Sequence, residues 1–357
     1  MMMHIINGIS GVVAMSQAFR DRLCPAIKDG GFAMDGYWIW CGSVVKADDG
    51  RYHMFASRWP MDLAFSPHWV TNSEVVHAVS DTPQGPYVFC DVALPARGDG
   101  FWDGRMTHNP TVHRHPDGRY ILFYTGTTYG VPLPTPQTPA SHELAWTEAR
   151  ANQRVGLAIA DSPDGPWQRC DKPLLEPRPG KWDAWMNTNP AAVILPDGSV
   201  MLYYKAVGFS KDLLRYGVAH AQQVQGPYTR LTDEPIFRFD SSNDHIEDAY
   251  AWYNGSSYEM IFKDMAGGVC GEPKAGVHAH SEDGVHWKLA ENPMAYSRTV
   301  TWDDGTTTQQ PFLERPQLLI EKGKPTYLFA ATGAMPDPDS HNHGALQRSW
   351  NMCIPLR

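Results

Sequence analysis

The chain has 357 residues, 42% of them hydrophobic and 19% charged, with a formal net charge of −9. That balance belongs to a folded chain with a full core, not to a disordered one. The acidic excess argues against a nucleic-acid partner, because phosphate binding needs a basic face. No apolar run approaches the length of a membrane span. The mildly apolar opening, Met1 to Ala14, lacks a basic start and a clear apolar stretch, so it is not read as a signal peptide. A cytoplasmic location is expected, or a periplasmic or secreted one if a leader has been removed. The cysteines at 24, 41, 90, 170, 270 and 353 are scattered. They show no zinc-ligand spacing and suit free thiols in a reducing compartment.

Residues 1–34 read as a lead-in with a short helix-like piece over Ser16–Leu23. From residue 35 a unit repeats. Trp102-Asp-Gly-Arg-Met-Thr-His-Asn-Pro110 returns as Trp182-Asp-Ala-Trp-Met-Asn-Thr-Asn-Pro190, each followed by a strand, an Asp-Gly turn and another strand. The turns at Asp48-Asp-Gly50, Pro116-Asp-Gly118, Pro196-Asp-Gly198, Tyr253-Asn-Gly255 and Glu321-Lys-Gly323 predict five hairpins, because such turns need positive φ. A second hairpin completes most units. It carries Gln84-Gly-Pro-Tyr87, Asp164-Gly-Pro-Trp167, Gln225-Gly-Pro-Tyr228 or Asp283-Gly-Val-His-Trp287. Four strands per unit and five units predict an all-β, five-bladed β-propeller over 35–357, with the lead-in completing a terminal blade. A β-sandwich of similar strand count is the alternative, and the matching turns argue against it. An insertion at 125–153, Pro/Thr-rich and then helix-like over Glu143–Ala151, interrupts the second unit. A loop of that length reads as a lid or binding loop, or as a contact in a homo-oligomer.

Aligning the units on their turns gives one column where the innermost strands begin around a central channel: Gly42, Asn109, Asn189, Asp248 and Arg315. The residues before it are Cys41, His108, Thr188, Glu247 and Glu314. Carboxylates, amides, His and Arg converging on one axis suit sugar chemistry, in which two carboxyls flank a glycosidic bond and neutral or cationic groups hold hydroxyls.

This blade layout resembles the five-bladed glycoside hydrolase superfamily that includes families 43, 32, 62, 68, 117 and 130, over roughly residues 35–355. In family 43 an Asp-Pro at an inner strand supplies the base, a second Asp tunes pKa values and a Glu is the acid. Here the matching positions read Asn109-Pro110, Asn189-Pro190 and Arg315-Pro316. Only Glu247-Asp248 keeps an acidic pair, so the resemblance is to the fold and blade layout, with family 117 a nearer possibility. Family 43 members often hold a channel calcium. No calcium-loop spacing occurs here, and no metal or cofactor is expected.

Four carboxylates are candidate catalytic groups: Asp35, Glu247, Asp248 and Glu314. Asp35 is the candidate base in the first unit, although Asp103 and Asp183, at matching places, look structural because they repeat and so would bind backbone in the blade-entry loop. Neighbours on a regular strand face opposite sides, so Glu247 and Asp248 can share the channel only if the strand is bulged. The bland alternative for each is a carboxylate that caps backbone or neutralises a neighbour. Candidate substrate-binding residues are Trp40, Arg58, His108, Asn109, Asn189, Lys205, Lys263 and Arg315. Arg58, Lys205 and Lys263 follow second strands, where a cation needs a partner: a column carboxylate, or a uronate or sulfate on the substrate. Trp38, Trp40, Trp59 and Trp69 cluster in the first unit, as packing or as sugar-stacking rings.

The expectation is an exo-acting glycoside hydrolase that cleaves terminal sugars from an oligosaccharide, anionic ones included, inverting by resemblance. Phosphorolysis on the same fold, a carbohydrate-binding propeller without catalysis and a purely structural propeller are the alternatives.

Overall fold

The computed structural model describes residues 18–210, 212–239, 245–340 and 342–357. Five four-stranded antiparallel sheets form a ring of blades. Their innermost strands are Tyr37–Lys46, Met106–Arg114, Met186–Ile194, Ile246–Tyr253 and Glu314–Glu321 for blades I to V. Each turns through its hairpin into a second strand, and the turn glycines (Gly50, Gly118, Gly198, Gly255 and Gly323) all have positive φ, between 76° and 101°. That conformation is open to glycine at little cost, which is why Asp-Gly and Asn-Gly mark these turns.

The ring closes through the lead-in. Strand Ile27–Phe32 is the outermost strand of blade V, paired with Arg348–Pro355. The propeller therefore begins at residue 27, before the boundary expected from the repeats. The helix-like piece expected at Ser16–Leu23 is a single 3-10 turn, Phe19–Arg22, with Ser16 and Gln17 outside the described residues. Phe32 is buried between blades V and I beside Ile39, Tyr87 and Phe329. Phe32→Ala is expected to cost about 3–5 kcal/mol, seen as a lower urea midpoint, because it opens a cavity in the seam that shuts the ring.

The core lies between the blades. Each blade contributes one face to each of two apolar seams, as where Val193, Met201 and Tyr203 of blade III meet Ala251, Met260 and Phe262 of blade IV. Such burial on both faces explains why the second strands read as continuous apolar runs and not as alternating ones.

One irregularity positions the site. Every innermost strand loses register against its partner at the same place: between Trp40 and Ser43, His108 and Thr111, Thr188 and Ala191, Glu247 and Tyr250, and Glu314 and Gln317. The first bulged residues, Cys41, Asn109, Asn189, Asp248 and Arg315, all have φ between 49° and 58°. The column is thus correct in blades II to V and one residue off in blade I, where Cys41 and not Gly42 occupies it and Trp40 precedes it. The bulge also removes the strict alternation of faces. Consequently both members of His108-Asn109, Glu247-Asp248 and Glu314-Arg315 reach the axis.

Candidate active site

The column side chains join hands around the axis. Cys41 Sγ donates to Asn109 Oδ1 at 2.6 Å, Asn109 Nδ2 to Asn189 Oδ1 at 2.6 Å and Asn189 Nδ2 to Asp248 Oδ1 at 3.1 Å. Asp248 Oδ2 accepts the Arg315 backbone N–H at 3.3 Å. Each amide can serve as link because it both donates and accepts.

Above this ring opens a pocket of about 280 Å³. Its rim comes from the connections between the second and third strands: Phe65, Ser66 and Trp69 from blade I, Trp146 and Arg150 from the insertion of blade II, Leu214 from blade III, Met265 and Lys274 from blade IV, and His343 from blade V. The insertion is helical over residues 142–151 and closes one side. Aromatic rings form much of the wall. Trp40 meets Phe65 at 4.9 Å between centroids, Trp69 meets Trp146 at 5.9 Å, and His343 stacks on Phe312 at 4.3 Å. The opposite end of the channel presents chiefly apolar residues such as Val44, Val112, Val193 and Leu318.

The charged floor is built on Lys263. Its ammonium is 3.0 Å from Glu247 Oε2, 3.0 Å from Asp248 Oδ2 and 2.8 Å from Glu314 Oε1. Lys205 holds the other oxygen of Glu247. Both lysines stand directly across the hairpin from bulge-preceding residues, Lys205 opposite Thr188 and Lys263 opposite Glu247. Burial alone would raise the Glu247 carboxyl, but Lys205 and Lys263 together hold it well below the ordinary range. Glu314 is raised by burial and by Glu247 but lowered more by Lys263 together with His343, so it too lies below its usual value. Lys263 is buried, which lowers its pKa, yet the three carboxylates raise it well above normal. Burial, with Arg315 and Lys205 nearby, pushes His108 well down. Its Nδ1 hydrogen-bonds with Ser73 Oγ at 2.8 Å, so a neutral imidazole faces the pocket.

The pocket thus gathers Glu247, Asp248, Glu314, Trp40, His108, Asn109, Asn189, Lys205 and Arg315, with Lys263 beneath them. Two expected residues stand elsewhere. Asp35 lies in the exposed turn before the innermost strand of blade I, away from the pocket lining. Arg58 falls one residue beyond the site occupied by Lys205 and Lys263 in their blades, where its counterpart is Ser57, opposite Trp40. It therefore points to the other face, pairs with Glu74 at 2.8 Å and lies over the Tyr37 and Phe89 rings. Asp103 and Asp183 are structural as their repetition implied, but through side chains. Each is buried and binds a tyrosine hydroxyl and two arginines: Tyr124, Arg97 and Arg169 for Asp103, and Tyr204, Arg178 and Arg230 for Asp183.

Trp146, Arg150, Lys274 and His343 were not foreseen. The signal available in sequence was their place, in the connection after each second strand. Lys274 is set by a loop folded around Asp264, whose carboxylate accepts the N–H groups of Gly267, Val269 and Cys270 at 2.7–2.9 Å. The group with donor atoms near enough for a metal among the described residues is His53, His77 and Asp164. His53 and His77 already hydrogen-bond to each other at 2.8 Å, from the second and third strands of blade I.

No protein-family model and no curated protein matches the chain. Solved structures do. A family 117 glycoside hydrolase from the marine bacterium Zobellia galactanivorans superposes with a TM-score of 0.63 at 16% identity, covering 94% of this chain and 89% of that one. The chain has the fold of the five-bladed glycoside hydrolases. The catalytic domain of the family 62 α-L-arabinofuranosidase of Coprinopsis cinerea gives 0.60 at 13% identity, over 95% and 98% of the two chains. A thermostable family 43 glycoside hydrolase gives 0.54 at 14%, over 91% of each. The propeller that the repeats predicted is thereby placed among known folds, and the residues on its axis, Asn109, Asn189 and Arg315 among them, differ from the family 43 triad as the sequence indicates.

Proposed function

We propose that the protein is a glycoside hydrolase that releases a terminal sugar from an oligosaccharide. The observation that carries this reading is the group of three carboxylates held by one buried lysine at the floor of an aromatic-walled pocket. Hydrolysis of a glycosidic bond needs one carboxyl to protonate the leaving oxygen and another to activate water or attack the sugar carbon. Glu247 and Glu314 are the pair best placed for this. Lys263 fixes one oxygen of each and leaves Glu247 Oε1 with Lys205 and Glu314 Oε2 near His343, at 4.0 Å. Asp248 serves as the inner charge that orients Lys263 and the amide ring. Trp40, Trp69 and Trp146 offer apolar faces to a sugar ring. The insertion closes one side of the pocket, which suits a chain end better than a chain passing through.

The test is proton NMR of the full chain with a panel of neutral and acidic oligosaccharides. A free monosaccharide is expected, first seen as the anomer opposite in configuration to the bond cleaved. Release of internal fragments would overturn the exo reading, and the same anomer first would overturn inversion. Ligand signals that shift without any product would replace the enzyme with a binding protein.

A further inference from the structure

We infer that the pocket contains an oxyanion subsite centred on Arg315, fitted to a sugar that carries a carboxylate. The inference rests on the sugar-pocket reading above and goes beyond it by naming the chemical class of the ligand.

Arg315 is 2% exposed and lies on the pocket floor. None of Nε, Nη1 and Nη2 has a hydrogen-bond partner among the described residues, and all three are buried. Its nearest carboxylate oxygen, Asp248 Oδ1, is 3.8 Å from Nη1, outside hydrogen-bond range, and Asp248 is already committed to Lys263 and Asn189. Burying a guanidinium with its donors unmet is costly, so a site that keeps one there is built for a partner that arrives.

Two further cations line the same pocket with no carboxylate in contact among the described residues, feeling Glu247 and Glu314 only from farther off. Arg150 lies over the Trp69 and Trp146 rings, 5.6 and 5.7 Å from their centroids, and Lys274 lies over Phe312 at 4.9 Å. Neither side chain makes a hydrogen bond or ion pair with a described residue. By contrast Lys205 and Lys263 are occupied by Glu247, Asp248 and Glu314. Three carboxylates against five cations leave this pocket positive, inside a chain whose net charge is −9. A carboxylate meets a guanidinium through two parallel hydrogen bonds, which matches the fork that Arg315 leaves open. The same subsite would accept inorganic phosphate, the co-substrate of phosphorolysis, so the test separates the two sources of the anion.

The experiment is calorimetric titration of the full chain with D-glucuronate, D-galacturonate, D-glucose, D-galactose and inorganic phosphate, at low and moderate salt. At least one uronate is expected to bind about tenfold or more tightly than its neutral counterpart, the size of one charge-assisted hydrogen bond. Arg315→Gln should abolish that preference. Arg150→Gln, a half-buried rim position that spares the floor, should weaken it severalfold if Arg315→Gln fails to fold. Phosphate binding that depends on Arg315, with no preference for uronates, keeps the subsite and assigns it to free phosphate. Absence of binding by every anion, or a uronate preference that survives both substitutions, overturns the proposal. The readout does not need turnover. Uronate binding without product formation leaves the subsite and removes the hydrolase, whereas hydrolysis of neutral sugars without anion preference does the reverse.

Discussion

Lys263→Met is expected to destabilise the protein by about 3–5 kcal/mol at neutral pH, the cost of stranding buried charge by removing its partner. The lysine is 1% exposed and is the only cation touching all three floor carboxylates among the described residues. Without it, Glu247 retains Lys205, but Glu314 and Asp248 lose their ammonium. The pH dependence follows from the direction of the shifts. In the native protein burial pushes Glu247 and Glu314 up, and the lysines, with His343 at Glu314, more than offset this, leaving both below their ordinary values. Their contribution to stability is therefore complete above the ordinary carboxylate range and is lost as pH falls through the depressed native values. In the variant burial wins at Glu314, its pKa rises, and it sheds its charge in mild acid. The gap between variant and native protein should accordingly be widest near neutrality and should narrow as pH falls through the carboxylate range. Urea unfolding at about pH 7 and about pH 4 measures it. A gap that stays constant, or no gap at neutral pH, would show that the carboxylates do not depend on this lysine.

How far this centre could be read from the chain differs by feature. The blades were legible because each repeats a turn that only a few residues can make, and Gly118, Gly198 and Gly255 mark it directly. The polar column was legible in four blades for the same reason. In blade I the correct member was also countable, since Cys41 stands as far before Gly50 as Asn109 before Gly118 and Asn189 before Gly198. The family 43 resemblance points there to Asp35 instead, which the chain leaves in an exposed turn. The sharing of the axis by Glu247 and Asp248 was legible only as conditional on a bulge, and the bulge itself, with φ of 58° at Asp248, is seen in the structure alone. Nor were the rim residues. Arg150, Lys274 and His343 lie on three connections of unrelated length and composition, and ring closure alone brings them together. The overall acidity of the chain gave no hint of a positive pocket, because net charge averages a surface and says nothing of one concavity.

The largest effects on chemistry are expected at the two glutamates, and they should differ in kind. Where two carboxyls have environments of unequal strength, the more weakly held one is the acid. Glu247 is held well below its normal range by two lysines in contact with it, whereas Glu314 touches one, with His343 acting from farther off, and the Glu247 charge opposes its ionisation. Glu314 therefore takes up the proton more readily, the more so when a bound sugar displaces water from beside it. In this assignment Glu314 protonates the leaving oxygen and Glu247 remains anionic to receive a proton from water. Glu314→Gln is expected to slow hydrolysis of an alkyl or sugar leaving group by about 10²–10⁴-fold. It should barely slow an aryl glycoside whose leaving group needs no proton. Glu247→Gln should slow both substrates alike. On the proposed hydrolase reading, kcat/KM of the native protein reports the free form, so an acid limb set by Glu247 should lie below the usual glutamate range. For the poor leaving group kcat/KM should decline as pH rises past the depressed value of Glu314, and the activated substrate should lack that decline. Kinetics on the matched substrate pair decide the matter. The opposite pattern of leaving-group sensitivity would exchange the two roles, and equal losses for both variants on both substrates would reduce the pair to structural charges around Lys263.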